Sequence, residues 1–239
     1  MEVDAVFFDL FDTLVLLEDS EAYYECCLRE MHRFLRRNGV DVAFSIFERA
    51  YFDIRDRFYS ESRESLEEPH FNVRVAQTLQ ELGYDFKDSD PTVVGATSSF
   101  AKEFMCHIQR DQEAVGVLQK LHRNYKLGLI SNFSIPECGQ KLLEKFGLRD
   151  YFDIIVISAQ VNQRKPSPRI FKNALQTLGV DAPRAVFVGD MVDLDVMGPQ
   201  RIGMKTVLIT RRPSRKDTPA KPDFVINSLT ELLDILEDC

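Results

Sequence analysis

The chain has 239 residues, 44% of them apolar and 28% charged, enough material for one soluble globular core with room for a sizeable insertion. A formal net charge of −8 argues against nucleic acid as a partner, because an extended polyanion needs a basic excess on some face; a small anion needs only two or three local cations. No apolar run approaches the ~20 residues of a membrane span, no leader is read at the start, and five cysteines without a CxxC pair suit reduced thiols. A soluble, cytoplasmic protein is the expectation.

The first strand is expected in "AVFFDL", an apolar run that ends in Asp9. From about Glu18 to Ile108 the apolar residues recur at helical spacing and no convincing strand is seen. Tyr24, Cys27, Leu28, Met31, Phe34 and Leu35 form one stripe, stopped by Asn38-Gly39. Phe47, Ala50, Tyr51, Ile54 and Phe58 form a second, and Val75, Leu79 and Leu82 a third before Gly83. Val93, Val94, Thr97, Phe100 and Phe104 follow Pro91 as a fourth. An all-helical insertion over 17–108 is predicted, with 1–16 and 109–239 forming the core. Arg29, Arg33, Arg49, Arg55, Arg57 and Arg74 within the insertion read first as charges on solvated helix faces, with contact to an anionic substrate as the alternative for any of them.

After Arg110 helices and strands alternate. A helix over about 112–124 leads to "KLGLIS", and one around 142–146 to "FDIIVIS". A helix over 168–178 leads to "AVFVGD", and one over 193–202 to "KTVLIT". A short strand "DFVI" and a helix from Leu229 close the chain. Glycines in "KFG", "TLG" and "RIG" mark helix ends. Apolar runs without alternation suit strands buried on both faces of a parallel sheet. The fold class is therefore α/β, a doubly wound parallel sheet interrupted by helices. The basic stretch from Arg211 to Lys221 reads as a solvated loop, and the four histidines form no ligand pair.

Open parallel sheets bind ligands at the carboxyl ends of their strands. Asp9 stands at the first such end, Ser131 and Asn132 at the next, and Arg164-Lys165-Pro166 in a following loop. Asp190 ends "AVFVGD" and is followed by Asp193 and Asp195. Singly, each has an ordinary role in a turn, a helix cap or solvent. Together they suit phosphoryl transfer: a carboxylate to attack phosphorus, a hydroxyl and a lysine for the phosphoryl oxygens, and acids for Mg²⁺, a hard ion that prefers oxygen.

These stretches resemble the motifs of the haloacid dehalogenase (HAD) superfamily over nearly the whole chain. Asp9 with Thr13-Leu14 resembles the first motif, "LISNFS" the second, "RKPSPRIF" the third and "VFVGDMVDLDVMGPQRIGMKTV" the fourth. The resemblance implies a Rossmann-like core with a helical cap inserted after the first strand. It implies Asp9 as nucleophile, Ser131 and Asn132 on the phosphoryl group, and Lys165 bridging Asp9 and phosphate. Mg²⁺ would be held by Asp9, the Phe11 carbonyl and Asp190, with Asp195 in support and Thr13 bracing the loop. The partner implied is a small, anionic, phosphorylated metabolite.

One position departs from the pattern. Phosphatases of this superfamily usually carry a second Asp two residues after the nucleophile, as general acid and base; here Phe11 stands there. Such a group is typically worth about 10²–10⁴-fold in rate. Asp12, one residue on, is the available substitute. An aromatic at this position resembles the L-2-haloacid dehalogenases, in which Asp attacks carbon without a metal. Those enzymes have Ser and Asn where this chain has Asp190 and Val192, and Tyr where it has Phe171. A phosphatase is the leading expectation, with a dehalogenase-type hydrolase or a weakly active binding module as alternatives.

Overall fold

Four successive residues, Ala5 to Phe8, are fully buried, and each finds its partners by the alternation of side chains along a strand. Val6 and Phe8 join a cluster with Leu118, Leu142 and Leu232, whereas Ala5 and Phe7 join another with Phe171, Ala174 and Phe187. A strand with helices on both sides cannot alternate apolar with polar. The computed structural model describes residues 2–18, 22–211 and 220–237.

The elements in chain order are β1 (Ala5–Phe8), β2 (Val15–Leu17), α1 (Ala22–Arg37), α2 (Phe44–Ser65), α3 (Phe71–Glu81), α4 (Pro91–Phe104) and β3 (Ile108–Arg110). There follow α5 (Ala114–Leu121), β4 (Lys126–Ser131), α6 (Pro136–Lys145), β5 (Ile154–Ile157), α7 (Ser158–Val161) and α8 (Pro168–Leu178). The last are β6 (Ala185–Gly189), α9 (Met197–Gln200), β7 (Lys205–Ile209), β8 (Phe224–Ile226) and α10 (Glu231–Glu237).

The main sheet has six strands in the order β5-β4-β1-β6-β7-β8, every pair parallel. Connections run to one side of β1 through β4 and β5, then return to its other side with β6. The order of connection therefore reverses between β1 and β6, and a crevice opens there at the strands' carboxyl ends. Asp9 follows the first of these strands and Asp190 the second.

The α/β sheet and its helical interruption are as the sequence predicts, and the glycine stops hold: Gly147, Gly179 and Gly203 have φ of +66°, +64° and +89°. Three local readings change. β2 and β3 pair antiparallel at the base of the helical segment, where no strand was expected. Three residues are too few to display alternation in sequence. The helix expected over 112–124 is confined to α5. The one expected over 193–202 becomes a wide π-type turn at Val192–Val196 followed by the single turn α9, which contains Gly198 and Pro199. Residues 212–219, most of the basic stretch, lie outside the described residues, as does Cys239. Cys26, Cys27, Cys106 and Cys138 are free thiols. No described helix is long and apolar enough to cross a membrane.

Gly128 shows how tightly β1 and β4 are packed: a Cβ there would stand 2.3 Å from the Phe7 ring. Gly128→Ala is expected to lower stability by about 1–3 kcal/mol through overpacking. Urea unfolding checks this; an unchanged midpoint would mean that the ring can move aside.

Candidate active site

The main chain carries the β1–β6 pairing one residue past the strand, with Asp9 N donating to Val188 O at 2.9 Å. This fixes Asp9 at the mouth of the crevice, where it is 8% exposed. The chain then turns sharply: Leu14 N and Val15 N both donate to Leu10 O, at 2.9 and 3.0 Å. Asp12 takes the left-handed conformation in this turn, at φ +52°, and accepts from Leu17 N at 3.3 Å. Aspartate is among the few non-glycine residues that enter this region readily.

Lys165 is the centre of the site. It is 1% exposed, not solvated as its place before a proline suggests, and its Nζ lies 2.9 Å from Asp9 Oδ1 and 2.7 Å from Asp195 Oδ1. Asn132 holds the lysine's main chain at two points: Lys165 N donates to Asn132 Oδ1 at 2.7 Å, and Asn132 Nδ2 donates to Lys165 O at 3.0 Å. Asp195 is fully buried and accepts from Met191 N at 3.0 Å. Its carboxyl lies so close to β6 that a Cβ on Gly189 would come within 2.4 Å of Asp195 Cγ. That glycine is thus required by close approach.

Asp9, Asp190 and Asp195 bring one carboxylate oxygen each within 4.8 Å of one another. Burial and then the charges of Asp9, Asp195 and Asp12 push the Asp190 carboxyl up to about 8, with Lys165 opposing. Burial likewise raises Asp195 despite Lys165. The Lys165 ammonium is penalised by burial, but Asp195 and Asp9 outweigh this and raise its pKa. Three acids around one lysine leave negative charge uncompensated. An oxygen-only donor set of that charge fits a hard divalent cation such as Mg²⁺. Asp193 lies outside this trio, as does Asp12.

Ser131 ends β4 fully buried, and among the described residues its hydroxyl has no hydrogen-bond partner, which leaves it to meet an incoming acceptor. The Thr13 hydroxyl is also buried and has no hydrogen-bond partner among the described residues. Ser158, which the sequence did not single out, fixes the loop after β4: its Oγ accepts from Phe133 N at 2.8 Å.

Phe11 is half-buried against the helical segment. Its ring centroid is 4.9 Å from that of Phe133 and 5.8 Å from that of Phe104. The helices also grip the two loops that carry Asn132 and Lys165. Phe71 N donates to Ser134 O at 2.8 Å, and Arg164 N to Leu66 O at 2.9 Å. Arg164 Nη1 donates to Ser62 Oγ at 2.9 Å, and its Nε lies 3.4 Å from Glu68 Oε2. Between helices and loops lies a cavity of about 150 Å³ that reaches Asn132 and Phe133. Arg74 lines it and is 6% exposed, which corrects the expectation of a solvated charge. On α3 it shares the turns of Phe71 and Val75, and only the fold reveals that its face is covered.

The model of the haloacid dehalogenase-like hydrolase family matches residues 3–203. A glyceraldehyde 3-phosphate phosphatase of Methanopyrus kandleri is 28% identical, over 99% of this chain and 98% of its own. A 2-haloacid dehalogenase of Pseudomonas syringae superposes with a TM-score of 0.74 at 26% identity, covering 99% of both chains. A HAD phosphatase of Thermococcus onnurineus superposes at 0.66 with 27% identity, covering 98% of both.

The crowding of acids has a sign that can be measured. With Asp190 raised to about 8, the folded protein holds a proton that the unfolded chain, with an ordinary carboxylate, releases near pH 4. The metal-free protein is therefore expected to lose stability from this group as pH rises through that window. Asp190→Asn should flatten the slope of melting temperature against pH between 5 and 8. An unchanged slope would contradict the repulsion.

Proposed function

The chain belongs to the haloacid dehalogenase-like hydrolase family, and from that premise we propose a magnesium-dependent phosphatase that cleaves a small phosphorylated metabolite through an aspartyl-phosphate on Asp9. The observation that carries this reading is the uncompensated negative charge of Asp9, Asp190 and Asp195 around the buried Lys165. In the proposed reaction Asp9 attacks phosphorus, the bond to the ester oxygen breaks and that oxygen takes a proton from water; a second water then attacks phosphorus, gives up a proton, and phosphate departs with Asp9 restored as a carboxylate. Lys165 orients Asp9 through its 2.9 Å contact and neutralises one phosphoryl oxygen as charge redistributes. Ser131 donates its free hydroxyl to another oxygen, while Asn132 positions Lys165. Asp9, Asp190 and the Phe11 carbonyl, with Asp195 in support, would hold Mg²⁺, which would supply screening of phosphate from nucleophile. Residues 17–108 act as the cap, closing the site from water and reading the leaving group.

Phe11 gives the second reading its footing. An aromatic there and the likeness to a 2-haloacid dehalogenase favour attack on carbon. The acid at Asp190 weighs against it, because without a metal it would repel the anionic transition state.

Three outcomes test the proposal. Asp9→Asn should lower turnover of any substrate by several orders of magnitude; retention of more than about a hundredth of the rate would refute covalent catalysis there. In calorimetry Asp190→Asn should remove Mg²⁺ binding while the protein stays folded, and wild-type affinity should rise with pH as the proton on Asp190 is shed.

The third concerns the proton on the leaving group. With Phe11 in place, phenyl phosphate should be cleaved far faster than an alkyl phosphate, since a phenolate leaves without help. Phe11→Asp should rescue the alkyl ester selectively, because a carboxyl at this position supplies a proton donor for the leaving oxygen. Equal wild-type rates on both esters, with chemistry rate-limiting, would show that Phe11 is no handicap. A large loss in Asp12→Asn would move the acid role to Asp12.

A further inference from the structure

Arg74 is buried and makes no direct ion pair among the described residues. Among the described residues no carboxylate oxygen lies within the ~4 Å of an ion pair. Its contacts are uncharged: Nη1 is 3.4 Å from the Tyr51 hydroxyl, and the guanidinium carbon is 5.2 Å from the Phe71 ring centroid and 5.3 Å from that of Tyr59. Nε has no hydrogen-bond partner although it is shielded from water, and Nη2 makes no hydrogen bond among the described residues. The edge of the guanidinium that grips a carboxylate by two parallel bonds is thus left without a partner among the described residues. A buried charge in this state is costly to the protein unless something else completes it.

The cavity it lines supplies the rest of the argument. Among the described residues its other charged groups are Arg164 and Glu68; Glu68 pairs with Arg164 at 3.4 Å and also feels the Arg74 charge, so two guanidiniums face one carboxylate. Its remaining walls are largely aromatic, including Phe71, Phe100 and Phe104, and one end reaches Asn132, next to Ser131. A leaving group that extends from the proposed phosphoryl site into this space would meet apolar rings and a single open guanidinium. One carboxylate matches that charge, whereas a second phosphate would exceed it.

We infer that Arg74 is a specificity-determining residue that binds a carboxylate on the leaving group, so that the preferred substrates are phosphate esters of small hydroxy acids. This rests on the reading of Asp9 and Ser131 as the phosphoryl site. Uncharged aryl and alkyl esters reach the same phosphoryl site without this contact.

Binding separates the inference from the chemistry. In an Asp9→Asn background, which holds ligand unreacted, calorimetry compares phospholactate with isopropyl phosphate, its counterpart lacking the carboxylate. Phospholactate is expected to bind at least about tenfold more tightly, since a charge-assisted bidentate pair is among the stronger contacts. Arg74→Met should erase the difference and leave isopropyl phosphate binding unchanged, with a melting temperature equal to or above that of the parent. Arg74→Lys should keep part of the preference. Equal binding of the two compounds in the parent, no binding of either, or a preference that survives Arg74→Met overturns the inference. So does an Arg74→Met protein that melts lower with its preference intact, which would make Arg74 a packing residue. If wild type shows the Arg74-dependent preference yet cleaves no phosphate ester, the carboxylate site stands and the phosphatase reading fails.

Discussion

A single buried ammonium, that of Lys165, organises this molecule's crevice. It touches Asp9 and Asp195 at once, and those residues come from opposite ends of the sequence. Removing such a cation would leave carboxylates facing one another out of water, which is costly enough to disrupt the strand ends that hold them. The surrounding construction serves its position: Asn132 clamps its main chain, Gly189 makes room for Asp195, and the β1–β6 pairing continues to Asp9. The reversal of strand order between β1 and β6 is what lets these groups meet.

The same two loops face both ways. The loop after β4 presents Asn132 to Lys165 and accepts from α3 through Ser134. The loop before α8 presents Lys165 to the acids, while its neighbour Arg164 holds Ser62, Leu66 and Glu68. A change in the seating of the helices must therefore be felt at the lysine. Phe11 belongs to this junction. Its ring fills the space beside Phe104 and Phe133, so Phe11 helps secure the contact between helical segment and core.

Much of this was legible in the chain. Strands buried on both faces leave unbroken apolar runs, and the helical stripes with their glycine and proline stops announced the insertion. The acids, Ser131 and Lys165 were readable as a group because each ends or follows a strand. Other features were not legible, for physical reasons. β2 and β3 are stabilised by pairing with each other across some ninety residues, and three residues carry no period. The burial of Arg74 depends on which side of α3 other elements cover, and an arginine in a helix reads as solvated by default. The wide turn at Val192–Val196 replaces helix where Asp195 folds back onto Met191 N, a contact that no pattern announces.

The account depends on Asp9 acting as a covalent acceptor. The most direct measurement is mass mapping of the peptide that contains Asp9, after rapid acid quenching of the protein during turnover of phenyl phosphate with Mg²⁺. The account predicts the mass of one phosphoryl group on that peptide, lost on hydroxylamine treatment as an acyl phosphate should be. Release of phenol in a pre-steady-state burst with no phosphoryl group on Asp9, or with the group on another residue, would contradict it.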